Sequence, residues 1–243
     1  MATDQRKEPA HPLPTGGSLW PTLGGSLWAT LGGSASPTPV AHCRAAADTP
    51  DAQYNFTDPE SRIMKDGATK AFEQAYNAQV VVDGHAQVIV ACELTPVAPD
   101  VGHLRPLLDQ LETNIGQRPR VVLADAGYFS EANLTGPQVQ GIDMYVPPDR
   151  RTHNARALPG SLPGAPQSAV ATAMRAKLAT VDGRALYALR KSVVEPVLGQ
   201  IKEARGFRRF AMRGLRKTWG EWRLICLTHN LLKLYRAGGA AAT

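Results

Sequence analysis

With 243 residues, 43% of them hydrophobic and 20% charged, the chain is long enough for one ordinary domain with a buried core and poorly ordered ends. Its three cysteines, Cys43, Cys92 and Cys226, are far apart, which argues against a disulfide framework or a zinc module, and no apolar run reaches the ~18 residues that a membrane span requires. The formal charge of +6 is lopsided: Arg184 to Arg236 holds 13 Lys and Arg against 3 acids, which suits either a polyanionic partner or a solvated basic face.

Residues 1–52 do not read as a folded domain. Gly16 to Leu23 is followed at once by a near copy, Gly24 to Leu31, in a Gly-, Ser- and Pro-rich setting that buries too little surface to offset its ordering entropy. Low-complexity, disordered sequence is the expectation there. From Tyr54 the pattern changes. Ala75 to Asp83 and Gln87 to Leu94 are β-rich runs around Asp83-Gly84, a hairpin signal. Asp100 to Leu111 has helical spacing of apolar residues, and Arg120 to Ala124 is a short apolar strand ending at Asp125. A helix over Ser130 to about Gln140 and a strand over Ile142 to Val146 follow.

Residues 149–180, rich in Pro, Gly, Ala and Arg, read as a loop or insertion. Asp182 then caps a helix running from about Arg184 to Glu203. In the last helix, about Thr218 to Tyr235, the residues Trp219, Trp222, Ile225, Cys226, His229 and Leu232 recur on one face, and 237–243 form a disordered tail. This order predicts a mixed α/β domain over 53–236 with one central sheet.

Asp125 is the first candidate for chemistry, because open α/β sheets gather ligands at the carboxyl ends of their strands; an ordinary strand-end turn capped by Asp reads the same way. Glu195 is the second. On a helix, Tyr187, Lys191, Glu195, Lys202 and Arg205 fall within about a quarter of the circumference, beside the apolar set Val194, Val197, Leu198 and Ile201. That places a carboxylate between cations, as at a metal-assisted phosphate site, or in a plain Lys191–Glu195 ion pair. Pro196, costing about 3 kcal/mol inside a helix, predicts a kink or a helix start beside it. Arg205, Arg208, Arg209, Arg213 and Arg216 interleave with Phe207 and Phe210, a pattern for gripping phosphates or for core aromatics beneath solvated arginines. The histidines carry no ligand spacing.

Thr57 to Met64, Ala75 to Gln79, Leu123 to Ser130, Val194 to Phe207 and Leu227 to Leu234, in that order, resemble the DDE transposases of bacterial insertion sequences, whose catalytic domain is RNase H-like. Tyr187, Arg190, Glu195 and Lys202 fall on the family's tyrosine, arginine, glutamate and lysine signature, with Arg190 one residue further from the glutamate than in its commonest form. The resemblance implies Mg²⁺ (or Mn²⁺) held by two Asp and one Glu, with Asp125 as the second Asp and Glu195 as the Glu, and with metal-dependent cleavage and transfer of DNA strands. It implies double-stranded DNA at element ends and targets as partner, contacted by Tyr187, Arg190, Lys191, Lys202, Arg205, Arg208 and Arg209. It further implies a cytoplasmic, nucleoid-associated bacterial protein, away from membranes and open to homo-oligomers. The first Asp, normally on an early strand, has no counterpart in residues 1–50, where the repeat stands instead, and Asp58 matches another family position. The expectation is therefore an N-terminally truncated RNase H-like fold, incomplete at its N-terminal side, with impaired cleavage; the alternative is a non-catalytic DNA-binding remnant that regulates the intact enzyme.

Overall fold

The longest strand, β4 (Phe72–Asp83), organises the sheet. The computed structural model describes residues 21–23, 27–31, 55–65, 70–149 and 168–240. Along one edge of β4 run β1 (Pro21–Leu23) and β2 (Leu27–Leu31), both antiparallel to it. Along the other run β3 (Arg62–Lys65) and β5 (Ile89–Thr95), antiparallel as well. Beyond β1, β6 (Val121–Leu123) and β7 (Asp143–Tyr145) continue the sheet in parallel, and β8 (Arg209–Phe210) pairs in parallel with β2. The result is one eight-stranded mixed sheet in an α/β domain.

The two halves of the repeat supply β1 and β2, in a segment expected to be low-complexity; the other residues of 1–52 lie outside the described residues. The physical reason is that β4 offers an unpaired row of backbone N–H and C=O groups, and almost any short extended segment can pair with it.

The β4–β5 hairpin forms where Asp83-Gly84 predicts it. Asp83 Oδ2 accepts the N–H groups of His85 (3.2 Å) and Ala86 (2.6 Å), and Gln87 closes the turn at φ 57°. One face of β4 presents Tyr76, Ala78, Val80 and Val82 to two C-terminal helices, α4 (Val181–Gly199) and α5 (Leu215–Ala240). Against the other face packs α1 (Leu104–Ile115), whose Leu104, Leu107, Leu108 and Leu111 are all buried. At roughly 1.5–3 kcal/mol for each buried leucine, that stripe outweighs the helix's middling propensity.

Several expected elements shift. Helix over 100–111 resolves into a 3-10 turn, Asp100–Gly102, followed by α1, and the 130–140 helix into α2 (Glu131–Thr135) and a 3-10 turn. The loop expected at 149–180 instead holds α3 (Ala169–Ala179), N-capped by Ser168, whose Oγ accepts Ala171 N–H at 3.2 Å; residues 150–167 lie outside the described residues. Alanine there is a helix former, not loop sequence. Arg175 fixes α3 through a two-pronged pair with Asp149, 2.9 Å on each side. Thr180, not Asp182, caps α4, accepting Gly183 N–H at 3.0 Å, while Asp182 sits in the first turn. Helix α5 runs on to Ala240, through part of the expected tail.

The Thr57–Met64 motif proves to be a clamp. Asp58, 1% exposed, accepts the Tyr76 hydroxyl on Oδ1 (2.8 Å) and Gly214 N–H on Oδ2 (3.1 Å); Glu60 Oε2 accepts Leu215 N–H (2.9 Å). Two carboxylates therefore cap α5 at its positive end. The expected face of α5 is inward: Trp222, Ile225, Cys226 and His229 are buried, with Trp219 and Leu232 half-buried.

Candidate functional site

Asp125 stands just past the end of β6, where its backbone leaves the sheet and its Oδ1 accepts Gly127 N–H at 2.8 Å, capping the 3-10 turn Ala126–Tyr128. The same end of the sheet receives the middle of α4. Burial raises the Tyr187 hydroxyl above its usual range; the Arg190 cation opposes this and the Asp125 charge adds to it, so both charges act on that hydroxyl. Arg190 lies 5.7 Å from the Tyr187 ring centroid and 3.8 Å from Glu195 Oε1. Arg190 thus links Tyr187 to Glu195 on α4, and the Asp125 charge acts on the same tyrosine. The cation paired with Glu195 is Arg190, where i,i+4 spacing pointed to Lys191, which is exposed on α4.

Pro196 lies within α4, and the helix continues through it. The chain then widens into a π-turn, Gln200–Ala204, with Arg205 N–H donating to Gln200 O at 3.0 Å. A π-turn takes an extra residue, so the angular stripe extrapolated to Lys202 and Arg205 does not hold beyond Gly199. Lys202 is half-buried in that turn. Arg205 faces α5: Nη1 donates to Ile225 O (3.0 Å), Nη2 to Thr228 Oγ1, and the guanidinium lies 4.8 Å from the Phe207 ring centroid. Arg208 pairs with Glu203 at the surface, and Arg209 is exposed on β8. Phe210 is a core residue, packed edge-on against Trp222 at 6.3 Å.

On the opposite side of the sheet end is a group that sequence reasoning missed. Asn77 and Gln79, both fully buried on β4, donate to Asp100 Oδ1 at 2.8 and 2.7 Å, and Gln79 Oε1 accepts the Tyr128 hydroxyl. Tyr128 stays protonated because burial, then the charges of Asp100 and Asp125, push its ionisation upward. Close by, His103 Nδ1 lies 3.3 Å from Glu93 Oε2. The available signal was two amides at alternate positions, 77 and 79, in the otherwise apolar stretch 75–82 of the strand: both must point to one face and both need partners.

Among the described residues, no three His, Cys, Asp or Glu side chains converge as a group that could hold a metal ion. Glu195, with a side chain 52% exposed, is turned to Arg190, and Asp125 caps a turn. Among the described residues these two acids have no third beside them to complete a three-acid set. What the arrangement does provide is a half-buried tyrosine and a guanidinium on α4 near a strand-end carboxylate, and the guanidinium is suited to gripping a phosphodiester.

Residues 162–235 match the family model of the transposase DDE domain. Over this stretch the chain is similar to that family. The match runs through α3, α4, the π-turn, β8 and most of α5, and so includes Tyr187, Arg190, Glu195 and Lys202 of the DDE domain, while Asp125 lies ahead of it. No curated protein matches the chain. That match supports a transposase function in general, and no helix among the described residues is long and apolar enough to cross a membrane.

Proposed function

We propose that this protein acts in DNA transposition by holding double-stranded DNA against the cationic side of α4, β8 and α5, and that its strand cleavage is impaired. The observation that carries the reading is the grouping of Asp125, Tyr187, Arg190 and Glu195 at one end of the sheet, three of them within the matched DDE segment. An RNase H-like arrangement is part of the proposal. Its support is the parallel run β1–β6–β7 joined through β1 to the antiparallel β4–β5 hairpin, with Asp125 at the end of the strand beside β1. Strand β1 would then hold the place of the family's first acidic residue, and its residues are Pro21, Thr22 and Leu23. With no acid there, an Mg²⁺- or Mn²⁺-dependent reaction lacks a ligand, and no catalytic step is assigned to an ion.

A second reading, a non-catalytic DNA-binding protein that regulates an intact transposase, is favoured by the Glu195–Arg190 pair and by the absence of a three-acid group among the described residues. The experiment is a gel-retention and nicking assay with element-end duplex DNA in Mg²⁺ or Mn²⁺, run beside Asp125→Ala and Glu195→Ala. Retention with feeble nicking that both variants abolish supports the impaired transposase. Retention with no nicking supports the regulator. Failure to retain DNA rejects both.

A further inference from the structure

We propose that Asp100 is a positioning residue for Asp125, fixing the turn on which that carboxylate stands. The role of Asp125 in DNA chemistry rests on the function proposed above; the positioning itself does not.

The two acids come from different elements and meet at Gly127. A Cβ added to Gly127 would lie 2.6 Å from Asp100 Oδ2 and 3.0 Å from Asp125 Oδ1. A side chain at 127 would thus push between the carboxylates, so glycine is what lets the Asp125 turn settle against Asp100. The contact between the two 3-10 turns is therefore made through backbone on one side and a charged side chain on the other.

Asp100 is itself held. Oδ1 takes N–H groups from Asn77 and Gln79, and Asn77 Nδ2 also reaches Ala98 O at 3.1 Å, tying the approach to the 3-10 turn onto β4. Gln79 Nε2 further donates to Asn77 Oδ1 at 2.7 Å. From Gln79 the chain of bonds passes to the Tyr128 hydroxyl, and Tyr128 is the last residue of the turn that Asp125 caps. Asp100, Gln79, Tyr128 and Gly127 thus close a ring around the Asp125 turn. Buried amides without partners are costly, and apolar side chains would fill the same space with less penalty. A satisfied polar ring of this kind specifies one geometry.

The test is backbone amide hydrogen exchange on the full chain, comparing Asp100→Ala with Asp100→Asn. Asparagine keeps an acceptor oxygen for Asn77 and Gln79, whereas alanine removes it. In Asp100→Ala, exchange in residues 125–129 is expected to rise roughly ten- to a hundredfold, the loss of hydrogen bonds to a charged group, with the β4–β5 hairpin unchanged. Asp100→Asn should return it close to the parent rate. Unchanged exchange at 125–129 in Asp100→Ala would overturn the proposal, as would a rise spread evenly through the chain or a failure of asparagine to rescue. Loss of DNA retention by the parent protein would reject the transposase reading and leave the exchange result standing.

Discussion

The side-chain amide of Gln87 donates to the carbonyl oxygen of Ser192 at 3.0 Å, and Ser192 is the residue whose carbonyl Pro196 cannot reach. Proline has no N–H for the residue four positions back, so a helix that runs through Pro196 leaves that oxygen free for an outside donor. Gln87, at the hairpin turn, supplies it, while its own carbonyl accepts from His229 (3.1 Å) and its Oε1 from Lys233 (2.8 Å). One turn residue thus joins the hairpin to both C-terminal helices. Gln87→Ala should destabilise the fold by about 1–2 kcal/mol, and pairing it with Pro196→Ala, which restores the helical N–H, should recover part of that loss. Urea unfolding of the two single variants and the double variant measures the coupling; strict additivity would sink this account.

The Asp58 clamp leads to a second expectation. Its carboxylate is buried, receives a tyrosine hydroxyl and caps α5, so Asp58→Ala strands the buried Tyr76 hydroxyl and removes the acceptor of the half-buried Gly214 N–H. The loss should be roughly 2–4 kcal/mol, combining a helix cap with an unsatisfied buried group. DNA retained per folded molecule should not change, because Asp58 faces the core. A variant that keeps its stability but no longer binds DNA would place Asp58 in the working site instead.

Much of this was legible in the sequence, and for identifiable reasons. The hairpin at Asp83-Gly84, the leucine stripe of α1 and the buried face of α5 are local periodicities, readable within a window of a dozen residues. Helix α3 was obscured by the Pro- and Gly-rich residues before it, although Ser168 and the alanines of 169–179 already held the cap and the propensity. Strands β1 and β2 were not legible, because a glycine-rich repeat becomes a strand only when a neighbour offers an edge. Asp125 and Glu195 were singled out in the sequence from a strand end and a helix stripe, and the structure places them at the end of β6 and on α4. Asp100 was not, since its partners Asn77 and Gln79 are more than twenty residues earlier on a strand and only the fold brings them together.

His229 gives a pH dependence of definite sign. Burial lowers its affinity for a proton; the bond to the Gln87 carbonyl opposes this, and Lys233, Arg205 and Arg236 reinforce it. The unfolded chain binds that proton near the ordinary value of about 6.5, and the folded one only at lower pH. The stability supplied by a neutral His229 is therefore present above that value and is lost as pH falls from it toward the depressed folded value. His229→Gln, which can still donate to the Gln87 carbonyl, should flatten this part of the acid limb in unfolding experiments. An unaltered limb would mean that another group governs it.

Cys92 and Cys226 line a groove of about 450 Å³ between β5, α1 and α5. The neighbouring Cys226 thiol pulls the Cys92 ionisation below the usual thiol range, against the opposing effect of burial, with Arg223 helping. The interaction with Cys92, together with burial, pushes the Cys226 thiol upward. In a chain carrying Cys43→Ser, iodoacetamide should label Cys92 first, and Cys226→Ala should slow that reaction several-fold by removing the donor. Peptide mapping over a time course decides it; equal rates in the two chains, or Cys226 reacting first, would count against the pairing.

Two arginines four positions apart should behave in opposite ways. Arg205 bonds to Ile225 O and Thr228 Oγ1 on α5, whereas Arg209 projects into solvent from β8. Both lie in the segment whose composition suggests phosphate binding, and composition cannot separate them. Arg205→Ala removes a tether between the π-turn and α5, so it should lower stability by roughly 1–3 kcal/mol while the salt dependence of DNA binding stays as it was. Arg209→Ala should leave stability unchanged and reduce the slope of log affinity against log salt by about 0.9, the release of one phosphate contact. Fluorescence anisotropy with a duplex across a salt series, alongside urea unfolding, reads both quantities. If Arg205→Ala alters the slope and Arg209→Ala does not, the DNA runs along the π-turn side of the domain and not along β8.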